Sequence, residues 1–255
     1  RFNRMDQILG AICRQIEVPG VPGKGVGRFL DRVCESVRRP PPGEEEFWQD
    51  VTDGGTWSHS DELSSPAVFV ALRAWCTGEP EAKQLAEAWL FQPWVYSSQR
   101  RILYCGLVEG LRRHFRDPRR EWMFYDHGVF LFNTQGYQQC WSALRDLHRL
   151  AKASGHAGFI ILFDEYEDVV TNLLRVNYQE AAFWNLFQFY SGKKFPGMTF
   201  YAVTPDFSEK CKHALLEKGR YDFDYAAFDR LPTFRMSPLS PSNLLAVARK
   251  IADLH

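Results

Sequence analysis

The stretch GFIILFDEYEDVV, Gly158 to Val170, constrains this chain more than any other part of it. Phe159 to Phe163 are apolar without a break, and they run straight into Asp164, Glu165, Glu167 and Asp168. A short, unalternating apolar run of this kind reads as a strand, and such strands belong to parallel sheets covered by helices on both faces. GMTFYAVT (197–204) is a second run of the same type, and it ends in Thr204-Pro205-Asp206. The interval between them has room for two helices and a right-handed return to the neighbouring strand.

Helical spacing dominates elsewhere. Met5, Ile8, Leu9, Ile12 and Ile16 predict a helix over about 4–16, and Val26, Phe29, Leu30, Val33 and Val37 predict a second. The elbow VPGVPGKG separates these two helices. RRPPPGEEE (38–46) and DGGTWSHSDELSS (53–65) read as loops. Helices follow at 66–76, with Pro66 in first position, at 80–91 and at 98–116. HGVFLFN (127–133) reads as a strand or extended edge, and 135–153 as a strong helix with Cys140, Trp141, Leu144 and Leu147 on its stripe. The remaining helices fall at 165–176, 178–191, 208–218 and 242–254. The expected fold class is α/β: a helix-rich three-layer core with a parallel sheet, incomplete at its N-terminus. Residues 1–125 form a mostly helical segment packed on or inserted into a core made by 126–255.

Composition narrows the classes. With 45% apolar residues the chain can bury a sizeable core, and 31 basic against 31 acidic side chains give no overall pull toward nucleic acid or anionic membrane. Its apolar runs are far too short for a membrane helix, and no signal peptide opens it. Six cysteines are scattered singly, without CxxC, and read as buried thiols in a reducing cytoplasm. Arg1 stands in mid-pattern, so the chain reads as a piece of something longer.

The carboxylates carry the chemistry. In an open parallel sheet, ligands bind beyond the carboxyl ends of the strands, which is where Asp164 and Glu165 fall. Magnesium takes hard oxygen ligands, usually one or two carboxylates completed by phosphates and water. Asp164 suits the metal, and Glu165 suits a role in orienting or deprotonating an attacking water. Glu167 and Asp168 are better read as acids complementing a helix N-terminus. Thr204, at the end of the second strand, is a candidate sensor of a γ-phosphate or a cap of the helix that follows it.

The matching phosphate loop, GxxxxGK[ST], is not in these residues. Gly23-Lys24 has Val18 and Gly25 in place of the first glycine and the hydroxyl, and Pro22 removes a donor from the cradle. Gly192-Lys193 has Phe187 and Lys194 at those positions. The elbow at 19–25 is therefore a helix breaker.

GHAGFIILFDEYEDVV, FYAVTPDF, the closing SPLSPSNLLAVARKIADLH and AEAWL (Ala86–Leu90) together resemble the P-loop ATP-binding proteins of BREX phage-defence systems. The likeness extends over most of residues 80–255 and more weakly over the helical first third. It implies a P-loop ATPase of AAA+/STAND type that uses ATP and Mg2+ and works as a nucleotide-driven switch in the cytoplasm. Its partners would be other defence proteins or further copies of itself. By the resemblance, Asp164 is the metal and nucleotide residue, Glu165 is catalytic, and Thr204 is the polar residue of the adjacent strand. Arg220, Arg230 and Arg235 stand where arginine fingers occur. The family's phosphate loop lies N-terminal to the part present here, so these residues alone would be inactive.

A non-catalytic interaction module that kept the fold without the chemistry is the rival reading. Nucleic-acid binding through Arg112, Arg113, Arg116, Arg119 and Arg120, close to Trp122, Phe124 and Tyr125, is a weaker third. Zinc spacing, a GxSxG elbow and a GxGxxG fingerprint are all absent from the sequence.

Overall fold

The computed structural model describes residues 2–53, 62–91, 98, 102, 105–107, 109, 137–219, 224, 226–237 and 240–252. They fall into two compact units, Arg1–Ala202 and Val203–His255. The expected boundary at 125/126, the 127–133 strand, the basic cluster at 112–125 and most of the 98–116 helix lie outside the described residues.

In the first unit, α1 (Met5–Gln15), α2 (Val26–Arg38), α3 (Glu45–Asp53), α4 (Pro66–Cys76), α5 (Pro80–Phe91) and α6 (Gln138–Ala153) pack into one core. Helix α4 is buried almost all round, from Ala67 to Leu72 and again at Ala74 and Trp75, as a helix must be when others pack on several of its sides. Ser65 caps it by accepting a hydrogen bond from the Val68 N–H at 3.3 Å, and Pro66 occupies the first turn. The loop leading into α4 is tied to α6 by the buried Asp146. Its Oδ1 accepts from the Ser64 N–H (3.1 Å) and hydroxyl (3.0 Å), and its Oδ2 from the Ser65 N–H (2.5 Å). Burial pushes the Asp146 carboxyl above the ordinary range even though these donors oppose it.

Helix α3 is an addition to the sequence reading. It begins within the acidic end of RRPPPGEEE and buries Phe47, Trp48 and Val51. The Trp48 Nε1–H donates to the carbonyl of Ala153 at 3.1 Å, joining α3 to the end of α6. A second correction concerns thiols: Cys34 on α2 and Cys76 on α4 are joined in a disulfide. Both were expected as buried thiols, and only the packing of α2 against α4 brings the two together.

Among the described residues the sheet consists of β1 (Ile160–Phe163) and β2 (Met198–Tyr201), parallel and paired Ile160 to Met198 through Phe163 to Tyr201. Between them run α7 (Asp168–Asn172), much shorter than the 165–176 helix predicted, and α8 (Val176–Tyr190). Two glycines let the strands start side by side. A Cβ on Gly158, whose φ is +142°, would come within 2.6 Å of the His148 ring. A Cβ on Gly197 would come within 2.5 Å of the Phe159 carbonyl and collide with the Phe195 ring. The same His148 accepts a hydrogen bond from the Phe159 N–H at its Nδ1 (3.1 Å), fixing the entry of β1 to α6.

Only one face of this sheet is covered among the described residues. Ile161 is 4% exposed and Phe163 packs inward, whereas Ile160, Leu162, Met198 and Phe200 are 62%, 74%, 57% and 53% exposed. The expected coverage on both faces therefore holds for one face.

In the second unit, α9 (Phe207–Leu216) buries Phe207, Cys211 and Leu215. The Phe207 ring meets that of Phe228 on the short α10 (Ala226–Asp229), with centroids 6.2 Å apart. Helix α11 (Pro241–Ala252) starts after Ser240, whose Oγ accepts from the Asn243 N–H at 3.2 Å.

Candidate functional site at the end of the first strand

The position of Asp164 and Glu165 follows from their neighbours. Phe163 and Tyr166 both turn into an aromatic cluster under the covered face of the sheet. Phe163 stacks on Tyr201 (centroids 4.9 Å, planes 14° apart), and Tyr166 meets the same ring edge-on at 4.9 Å. Phe2 closes the cluster against both, at 5.8 Å and 4.7 Å. Tyr166 is fixed further: its hydroxyl donates to the Ala182 carbonyl at 2.7 Å, and its N–H to the Ala202 carbonyl at 3.3 Å. With residues 163 and 166 both anchored inward, the two acids between them are thrown into solvent.

That geometry strains the backbone. Glu165 has φ +51°, in the left-handed region that side-chain-bearing residues rarely occupy. The Asp164 Oδ1 accepts the Glu165 N–H at 3.0 Å, and the Glu165 carbonyl accepts from Asp168 N–H at 3.1 Å. Two exposed carboxylates thus stand just past the carboxyl end of β1, beside a parallel neighbour. As hard oxygen donors they fit magnesium, with further ligands left to phosphate and water. Glu167 stands at the start of α7 and Asp168 opens it, in keeping with acids near a helix N-terminus.

Thr204 is placed differently from its prediction. Strand β2 ends at Tyr201, so Thr204 lies beyond it, in the second unit. Its carbonyl accepts from the Phe207 N–H at 3.0 Å, which makes it part of the turn into α9. Its hydroxyl oxygen is buried without a hydrogen bond of ordinary geometry, yet lies near enough to Asp206 to help lower that carboxyl's pKa, after the larger effect of Lys210. Among the finger candidates, Arg230 pairs with Asp224 (2.7 Å), Arg235 is exposed, and Arg220 lies outside the described residues.

Neither Gly-Lys pair forms a phosphate cradle. In the elbow, Gly20, Gly23 and Gly25 have positive φ, the Gly25 N–H is donated to Ile16 (2.8 Å), and Lys24 pairs with Glu17 at 2.6 Å. Gly192-Lys193 ends α8, with the Gly192 N–H donated to the Phe189 carbonyl at 3.3 Å. Sequence reasoning missed the residues that position the acids, namely Phe2, Tyr166 and Gly197. Tyr166 carried a signal, as an aromatic residue set among four acids. Phe2 carried none, being far away in the chain.

Comparison with protein-family models, curated proteins and solved structures finds no match to this chain.

Proposed function

We propose that this chain carries the carboxylate half of a nucleotide site, in an ATP-binding P-loop ATPase of AAA+/STAND type that acts as a nucleotide-driven switch in bacterial phage defence. The observation that carries the reading is the exposed Asp164-Glu165 pair, held past the carboxyl end of β1 beside a parallel strand, with Glu165 in a left-handed backbone. Strained residues held by their surroundings concentrate at functional sites.

In this reading Asp164 holds Mg2+, directly or through water, and Glu165 orients the attacking water and takes its proton. The bound ion would supply charge neutralisation to the phosphates. Phe163 and Tyr166 keep the backbone that carries both carboxylates fixed.

The test uses a parent chain in which these residues are joined to a GxxxxGK[ST] loop. Glu165→Gln should abolish ATP turnover while leaving ATP affinity unchanged, and unaltered turnover would remove the assigned role. Residues 1–255 alone should bind ATP only weakly by calorimetry, and a micromolar affinity would overturn the division into halves.

One observation favours a non-catalytic interaction module instead: among the described residues nothing covers the apolar face of Ile160, Leu162, Met198 and Phe200, and exposed apolar patches mark binding surfaces. Under that reading Glu165→Gln is silent in every nucleotide assay.

A further inference from the structure

The two sulfurs of the Cys34–Cys76 bond differ in access. The Cα atoms are 5.8 Å apart, in the usual span for a disulfide. Cys34 is 7% exposed and sits in the core. Cys76 is half-buried and lines an open cavity of about 210 Å³ together with Val37, Val51, Thr52, Leu72 and Arg73. These residues come from α2, α3 and α4, so the cavity sits where the three helices meet. Cys76 lines this cavity and Cys34 does not, so a small molecule entering it meets Cys76 first.

Cys13 and Cys211 are unsuited to such chemistry. Burial pushes the Cys13 thiol up to about 12 and raises that of Cys211 as well, and a protonated, enclosed thiol is inert.

We propose that Cys34–Cys76 is a reversible redox clasp between α2 and α4, opened and closed by small thiols and their disulfides that react at Cys76 through the cavity. In opening, an incoming thiolate attacks the Cys76 Sγ. A new S–S bond forms there, the Cys34–Cys76 bond breaks, and Cys34 leaves as a thiolate that takes a proton from water. A second thiolate then attacks the small-molecule sulfur of this mixed disulfide. Cys76 is released and protonated, and the two small thiols depart as their own disulfide. Two electrons pass from the small thiols to the protein, and closing is the reverse, with the small disulfide as oxidant. The clasp spans the chain segment that contains α3, so its state sets how firmly α3 is held against α2 and α4. Hydrogen bonds from the Arg73 guanidinium to the Val51 and Thr52 carbonyls, at 3.2 and 2.9 Å, tie α3 to α4 beside the clasp.

The test incubates the full chain, without denaturant, in mixtures of glutathione and glutathione disulfide, then quenches with acid and maps alkylated cysteines by mass spectrometry. The expected result is loss and recovery of alkylation at Cys34 and Cys76 together as the mixture is varied. With glutathione disulfide, Cys34→Ser should collect a mixed disulfide on Cys76 about tenfold faster than Cys76→Ser collects one on Cys34, as differential access requires. A bond that yields only after unfolding would show a purely structural cross-link and overturn the proposal. So would two thiols that never pair in any mixture, or equal modification of the two cysteines. The titration of the unsubstituted chain decides reversibility even if neither variant folds.

Discussion

The helical core and the sheet end of the first unit are both built from apolar residues, but they use them in opposite ways. In the core, Trp48, Trp89 and Trp141 are almost wholly enclosed. At the sheet, Ile160 and Leu162 are as apolar as anything in the core and yet face outward. In the core, α2, α5 and α6 pack on α4, while among the described residues the paired strands have a packed layer on one side only. Hydrophobicity along the chain therefore reports a capacity for burial, and the supply of neighbours decides whether that capacity is used.

Replacing a core residue should open the gap between the regions widest. Trp48→Ala is expected to cost about 4 kcal/mol in urea unfolding, because a large enclosed ring and its bond to Ala153 are both lost. A loss below about 1 kcal/mol would mean that α3 is loosely attached.

Asp146 probes the polar side of the same core. Because its folded pKa is raised, its contribution to stability is fully present below the unfolded carboxyl value of about 3.9 and is lost as pH rises through the folded value. Asp146→Asn should flatten that part of the stability–pH profile. At neutral pH it should also cost about 2 kcal/mol, since an amide N–H₂ would face the donors of Ser64 or Ser65. A profile that keeps its slope would assign the dependence to other groups.

At the sheet end the expected sign reverses. Glu165→Gly should raise stability by about 1 kcal/mol, because glycine occupies the left-handed region without the steric penalty that glutamate bears. A destabilised variant would mean that the glutamate side chain makes compensating contacts. The smallest effect is expected for Leu162→Ala, less than about 0.5 kcal/mol, since the side chain already faces solvent. A loss of several kcal/mol there would mean that the face is covered in solution, and the contrast between the regions would fall.

Much of this arrangement was legible in the sequence. The sequence located α1, α2, α4, α5, α6 and α8 closely, and α1, α2 and α6 each carry an apolar stripe at 3.6-residue spacing. The two unalternating runs gave β1 and β2, their parallel pairing and the acids at the end of β1. Helix α3 was missed because its opening acids and the preceding prolines look like loop, and its three apolar residues mean little without α6 beside them. Residues 165–176 were read as one helix, but Tyr166 is drawn inward beneath Tyr201, and the helix starts only at Asp168.

By itself, then, the sequence determined most of the described helices, both described strands and where a cluster of carboxylates interrupts an apolar run. Those properties depend on residues close together in the chain. Tertiary structure alone decided that Cys34 meets Cys76, that Asp146 holds the loop before α4, that Phe2 supports Tyr166, and that among the described residues one face of the sheet is uncovered. Each of these joins segments far apart in the chain, and periodicity fixes the side from which an element can be packed but not the partner that arrives there.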